Sequence, residues 1–149
     1  MGITKLLEIA IGIEKKGYSY YTKLANRSSG YNKVLFKRLA EKEKEHMKCF
    51  HDLIKEYKDE SGSSAAYEIE DVDLLKSLAE ISVFPLENAE KLSDDLGKAI
   101  KIVVQIEEGS IEFYWRLIEY IPKKNLLERI IKEEEKHLKE LLEVFHDYV

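Results

Sequence analysis

Two halves of this 149-residue chain carry the same polar set at nearly the same spacing. Glu14 is followed 29 residues later by Glu43-Lys44-Glu45-His46, and Glu107 is followed 27 residues later by Glu134-Glu135-Lys136-His137. An offset of 93 carries Ile13-Glu14 onto Ile106-Glu107 and Tyr21 onto Tyr114. An offset of 91 carries Leu39, Glu43 and His46 onto Ile130, Glu134 and His137. Two copies are too few for a solenoid. They imply instead a duplicated helical hairpin, closed on itself as a pseudo-twofold bundle. Each half supplies one lone carboxylate and one Glu-x-x-His pair, and together they make the ligand set of a two-metal site inside a four-helix bundle.

The frame around these residues reads as helical. Apolar residues at Ile3, Leu6, Leu7, Ala10, Ile11, Tyr18, Tyr21, Leu24 and Ala25 keep a helical period over 3–27. Ser28-Ser29-Gly30 should end that helix, with Gly30 free to take the left-handed cap. A second helix is predicted over 32–57, with Asn32 as N-cap and a core stripe of Leu35, Leu39, Met47, Phe50, Leu53 and Ile54. Residues 59–66 read as a polar loop, and 70–92 as one or two short helices broken at Pro85. A third long helix should start near Ser93-Asp94-Asp95, where acidic residues suit the positive end of the helix dipole, and run to about Tyr120. A fourth should open at Pro122 and run to about Tyr148. The expected architecture is all-α: one domain over 1–149, with helical hairpins at about 3–58 and 93–148. A crossover at about 59–92 is long enough to traverse the bundle.

Residues three apart on a helix share a face, so Glu43 can converge with His46, and Glu134 with His137. All four carboxylates interrupt apolar stripes. Glu14 lies among Ala10, Ile11, Tyr18 and Tyr21; Glu107 among Val103, Val104, Ile111 and Tyr114. Glu43 lies among Leu39, Ala40, Met47 and Phe50; Glu134 among Ile130, Ile131, Leu138 and Leu141. A buried unpaired carboxylate costs several kcal/mol, and four together would repel one another or take up protons. Two divalent cations would neutralise them. Mixed carboxylate and imidazole donors suit iron or manganese, and exclude a thiolate-rich zinc or copper site. A metal-free polar network is the weaker alternative, because nothing cationic would balance it. A site that holds metal without doing chemistry remains open. Tyr21 and Tyr114 each follow a lone Glu by seven residues on the same face. They are candidates to hydrogen-bond the ligand carboxylates, with aromatic core filling as the alternative.

Other residues invite plainer readings. Glu41 and Glu135 belong to solvated faces, and the run Lys132–Lys136 would pass for one were Glu134 not on the core stripe. His51 and His146, lacking counterparts in the other half, read as surface histidines. Cys49 reads as a buried structural thiol, and Trp115 as packing.

Composition narrows the function classes. With 36% charged and 44% hydrophobic residues the chain can bury a core. Only 2 Pro and 7 Gly leave long helices uninterrupted. A net charge of −5 without a basic cluster argues against a nucleic-acid partner. No apolar run approaches the roughly 20 residues of a membrane span, and the first residues lack a signal peptide's pattern. The single cysteine excludes an internal disulfide or C-x-x-C module and fits a reducing cytoplasm.

At these residues the chain resembles the ferritin-like superfamily, specifically the diiron domain of rubrerythrins. The shared motifs are Ile-Glu-x3-Tyr/Ile-x2-Tyr on the first and third helices and Glu-x-x-His on the second and fourth, and the likeness covers 3–148. It implies Glu14 and Glu107 as terminal ligands, Glu43 and Glu134 as bridges, and His46 and His137 each capping one metal. It implies a non-haem diiron oxidoreductase that reduces hydrogen peroxide or dioxygen as Fe(II) is oxidised, a role in oxidative stress, and a homodimer. The chain departs from the family twice. It has no rubredoxin-like C-x-x-C module, so electrons would come from an external donor protein. Ser110 stands where rubrerythrins carry an extra Glu, which leaves a symmetric set closer to the ferroxidase centre of bacterioferritins. The alternative functions are iron sequestration or delivery without efficient turnover, and oxygenation of an organic substrate. Manganese or a mixed pair could replace iron.

Overall fold

The structure, a computed structural model, describes residues 2–61 and 94–147. They form four long helices: α1 (Ile3–Asn26), α2 (Gly30–Ser61), α3 (Leu96–Leu117) and α4 (Lys124–His146), with a 3-10 turn at Ile118–Tyr120. α1 and α2 form one hairpin, α3 and α4 the other. The hairpins meet where α1 packs on α3 and α2 on α4. No helix among the described residues is long and apolar enough to cross a membrane.

The ends of the helices follow local chemistry. The backbone N–H of Arg27 closes the last turn of α1, and three residues later Gly30 takes φ +58, turning the chain through the left-handed region that glycine tolerates. α2 therefore begins at Gly30, and Asn32 lies inside its first turn instead of capping it. At the start of α3 the Asp95 carboxylate accepts from the Lys98 N–H at 3.1 Å. Arg27 Nη2 reaches the Asp94 carbonyl at 2.8 Å, tying the end of α1 to the start of α3. Pro122 does not open α4. Ile121 before it is extended (φ −109, ψ 124), as a residue preceding proline prefers. Lys123 is also non-helical (φ −90, ψ 65), so α4 starts at Lys124. Residues 59–61, expected in a loop, continue α2; the rest of that loop, the short helices around Pro85 and the crossover lie outside the described residues.

The buried side chains form two apolar clusters. One joins Ile3, Leu6, Leu7 and Ala10 of α1 to Phe50 and Leu53 of α2, Phe113 and Leu117 of α3, and Leu127, Ile130 and Ile131 of α4. The other joins Tyr20, Tyr21 and Leu24 to Leu35, Phe36 and Leu39, to Ala99, Ile100 and Val103, and to Leu141 and Val144. The pairing of the first half of α1 with the last half of α3, and the reverse in the second cluster, makes the two antiparallel. Met47 and Ile54 of the expected stripe are only half-buried, and Phe36, Ala40 and Tyr57 fill the core beside them. Trp115 is a correction: it stands 49% exposed, because Phe113, Tyr114 and Leu117 occupy the inward positions of that turn. Cys49 is half-buried, with Arg129 Nη2 3.6 Å from its sulfur. His51 and His146 are exposed.

Candidate metal centre

Between the two apolar clusters lie the six residues of the repeated set. None of Glu14, Glu43, His46, Glu107, Glu134 and His137 is more than 3% exposed. Each of the four helices brings its carboxylate inward on the same face as its apolar stripe, and α2 and α4 add an imidazole one turn on. The six fall into two overlapping groups: Glu14, Glu43, His46 and Glu134, and Glu43, Glu107, Glu134 and His137. Within each group one ligand atom per residue lies within 4.8 Å of all the others. Glu43 and Glu134 are common to both.

The hydrogen bonds repeat the duplication crosswise. The Tyr21 hydroxyl on α1 donates to Glu107 Oε1 on α3, and the Tyr114 hydroxyl on α3 donates to Glu14 Oε1 on α1, each at 3.0 Å. His46 Nδ1 sits 2.9 Å from Glu134 Oε1 and 3.4 Å from Glu14 Oε1. His137 Nδ1 is 3.5 Å from Glu43 Oε1 and 3.4 Å from Glu134 Oε2. The two rings stack with centroids 6.1 Å apart.

This cluster fits a pair of cations. Every one of the four carboxylates leaves one buried oxygen without a hydrogen-bond partner: Glu14 Oε2, Glu43 Oε1, Glu107 Oε2 and Glu134 Oε2. His137 Nδ1 has only long contacts, 3.4 Å to Glu134 and 3.5 Å to Glu43. Buried polar atoms are rarely left so, because each costs the desolvation of a polar group. Here they belong to residues whose ligand atoms come together, and among the described residues the donors so gathered are carboxylate oxygen and imidazole nitrogen.

The protonation pattern of the metal-free cluster shows the same conflict. Burial, reinforced by the charge of Glu134, pushes Glu43 up to about 8. Burial with Glu134 and Glu43 nearby raises Glu107 well above the usual carboxylate range. Burial alone would lower the histidines, but the hydrogen bond and charge of Glu134 outweigh it and lift both to about 9. Burial would also raise Glu134, yet Glu107 and the two imidazoles hold it well below its ordinary value. Burial and the neighbouring carboxylates raise Tyr21 and Tyr114 well above the usual phenol range, so both stay hydroxyl donors. Without metal, the site balances its carboxylates with protons.

Two contributors escaped the sequence reading. Glu133 Oε2 lies 2.5 Å from His46 Nε2, on the outer side of the ring. Gly17 gives Glu43 its room: a Cβ there would lie 2.9 Å from Glu43 Oε2 and 3.2 Å from its Cδ. The 93-residue offset pairs Gly17 with Ser110, and that was the available signal. Ser110 is buried, and its hydroxyl donates to the Ile106 carbonyl at 2.7 Å.

Comparison with known proteins bears on the family and the fold. A family model described as Rubrerythrin matches residues 5–145. The fold superposes on a crystal structure described as that of a ferritin-like diiron-carboxylate protein from Thermotoga maritima. The TM-score is 0.77 at 22% sequence identity, covering 100% of this chain and 97% of that one. No match was found among curated proteins.

Proposed function

Because the chain belongs to the rubrerythrin family, we propose that its buried cluster holds two iron ions and reduces hydrogen peroxide or dioxygen as a non-haem diiron oxidoreductase. The observation that carries this reading is the pair of overlapping four-residue groups that share Glu43 and Glu134. Glu14 and His46 would hold one ion, Glu107 and His137 the other, and Glu43 and Glu134 would bridge them. Two Fe(II) ions so bound would supply the two electrons that, with two protons, convert hydrogen peroxide to two waters.

The chain's own residues position and enclose. Tyr21 and Tyr114 hold Glu107 and Glu14 by one oxygen each and leave the other oxygen free to ligate. Leu39, Phe50, Ile130 and Leu141, fully or almost fully buried on the ligand-bearing helices, keep bulk water from the centre. Fresh electrons would come from an external donor protein.

Iron sequestration is the second reading, and Ser110 favours it. Its hydroxyl is turned to the backbone, so the position where rubrerythrins carry a further carboxylate offers no ligand. An anaerobic Fe(II) titration followed by hydrogen peroxide and a reduced donor separates the readings. The oxidoreductase binds two irons per chain, oxidises them rapidly and turns over repeatedly. A single round of slow oxidation would favour sequestration. Glu43→Ala and Glu134→Ala should each abolish two-metal binding, and retention of two tightly held irons would refute the ligand assignment.

A further inference from the structure

The pseudo-twofold relation between the hairpins breaks beside one imidazole. His46 turns Nδ1 inward, 2.9 Å from Glu134 Oε1, and presents Nε2 outward to Glu133 Oε2 at 2.5 Å. The offset that carries Glu43 onto Glu134 and His46 onto His137 carries Lys42 onto Glu133. Where one half offers its neighbour's imidazole a carboxylate, the other carries an ammonium. Lys42 Nζ is engaged with Glu45 at 3.3 Å, and an ammonium has no lone pair to accept an imidazole N–H. The tyrosines keep the symmetry, with both tyrosine-to-glutamate bonds at 3.0 Å, whereas the inner nitrogens do not: His46 Nδ1 lies 2.9 Å from Glu134 and its counterpart His137 Nδ1 lies 3.5 Å from Glu43.

We infer that Glu133 is a positioning residue for His46, and that it makes the Glu14–His46 half of the centre the tighter of two unequal metal positions. The inference rests on the two-metal reading above. A neutral imidazole carries a single N–H. A carboxylate at Nε2 keeps the proton there, leaves the Nδ1 lone pair facing Glu14, Glu43 and Glu134, and fixes the ring's rotation. It also strengthens the opposite nitrogen as a donor, and removing such a partner typically costs about 10–100-fold in metal affinity. Glu133 is 33% exposed, so it can be replaced without opening the core.

The test is calorimetric titration of the metal-free full chain with Mn(II), with anomalous X-ray diffraction from crystals of the chain loaded with one equivalent to identify which half fills first. The wild type should take up two ions in separable steps, the first equivalent giving its anomalous peak beside Glu14 and His46 and not beside Glu107 and His137. Glu133→Ala should weaken the tighter step by about tenfold or more and leave the weaker step unchanged. Lys42→Glu should tighten the weaker step. Two equal steps in the wild type, or unchanged steps in Glu133→Ala, would overturn the inference while leaving the two-metal reading intact. Fewer than two ions bound by the wild type would overturn both.

Discussion

Gly17 and Glu43 touch across the α1–α2 interface, and the contact makes a backbone position part of the site. A methyl at Gly17 would meet the Glu43 side chain, 2.9 Å from Oε2 and 3.3 Å from Cγ, and that side chain would have to shift. Gly17→Ala should therefore change the stability of the metal-free fold little, the helix-propensity gain of about 0.5–1 kcal/mol being offset by the displacement of Glu43. Metal affinity should drop by about tenfold or more, as for other losses of ligand support. Thermal unfolding and Mn(II) titration of the same variant check both halves of this expectation. Tyr21→Phe and Tyr114→Phe should act as a matched pair, each freeing the carboxylate on the opposite hairpin and lowering metal affinity to a similar degree. Unequal losses would show that the crosswise bonds differ in weight. The six ligand candidates and both tyrosines could be read from the sequence because each breaks or lines an apolar stripe on its own helix. Glu133 and Gly17 could not. The partner of Glu133 lies 87 residues away on the other hairpin, and the role of Gly17 depends on an interhelical distance that no single helix encodes.

At the scale of the element, periodicity located the four long helices of the described residues, and local backbone chemistry moved their ends by a few residues. The left-handed turn at Gly30 and the cap near Asp95 were legible because glycine and aspartate act on their own neighbours. The start of α4 was not, because Pro122 forces Ile121 to be extended and the chain needs Lys123 to complete the turn. Trp115 was misplaced because its neighbours Phe113 and Tyr114 are equally apolar in composition, and only the phase of α3 decides which face inward. Asp95→Ala should cost about 1 kcal/mol by leaving the Lys98 N–H without its cap. Chemical denaturation measures it, and a loss of metal binding without a loss of stability would contradict a purely capping role. The ion pairs between Arg38 and Glu140, and between Lys123 and Glu56 at 2.6 Å, join the two hairpins at the surface. They should contribute little, on the order of 0–1 kcal/mol each.

For the whole molecule, the two apolar clusters hold the bundle and the charged centre between them works against it. In the metal-free protein Glu43 moves from 4.5 to about 8, and the histidines from 6.5 to about 9. The folded chain thus retains protons that the unfolded chain has already released, so stability falls as pH rises from 4.5 to about 9. Glu134, held low, adds a contribution already complete above 4.5 and does not reverse that slope. After treatment with a chelator, the melting temperature should decline steadily across this window. Metal uptake needs the deprotonated ligands, so loading should release protons, tighten as pH rises and raise the melting temperature most at the alkaline end. A metal-free melting temperature that rises over the same window would mean that the cluster does not titrate as described.

The most direct measurement is anomalous X-ray diffraction from crystals of the chain loaded anaerobically with Fe(II), recorded on either side of the iron edge. Two iron peaks should appear between the four helices, one among Glu14, Glu43, His46 and Glu134, the other among Glu43, Glu107, Glu134 and His137. An empty centre, a single peak, or iron held elsewhere on the surface would contradict the account.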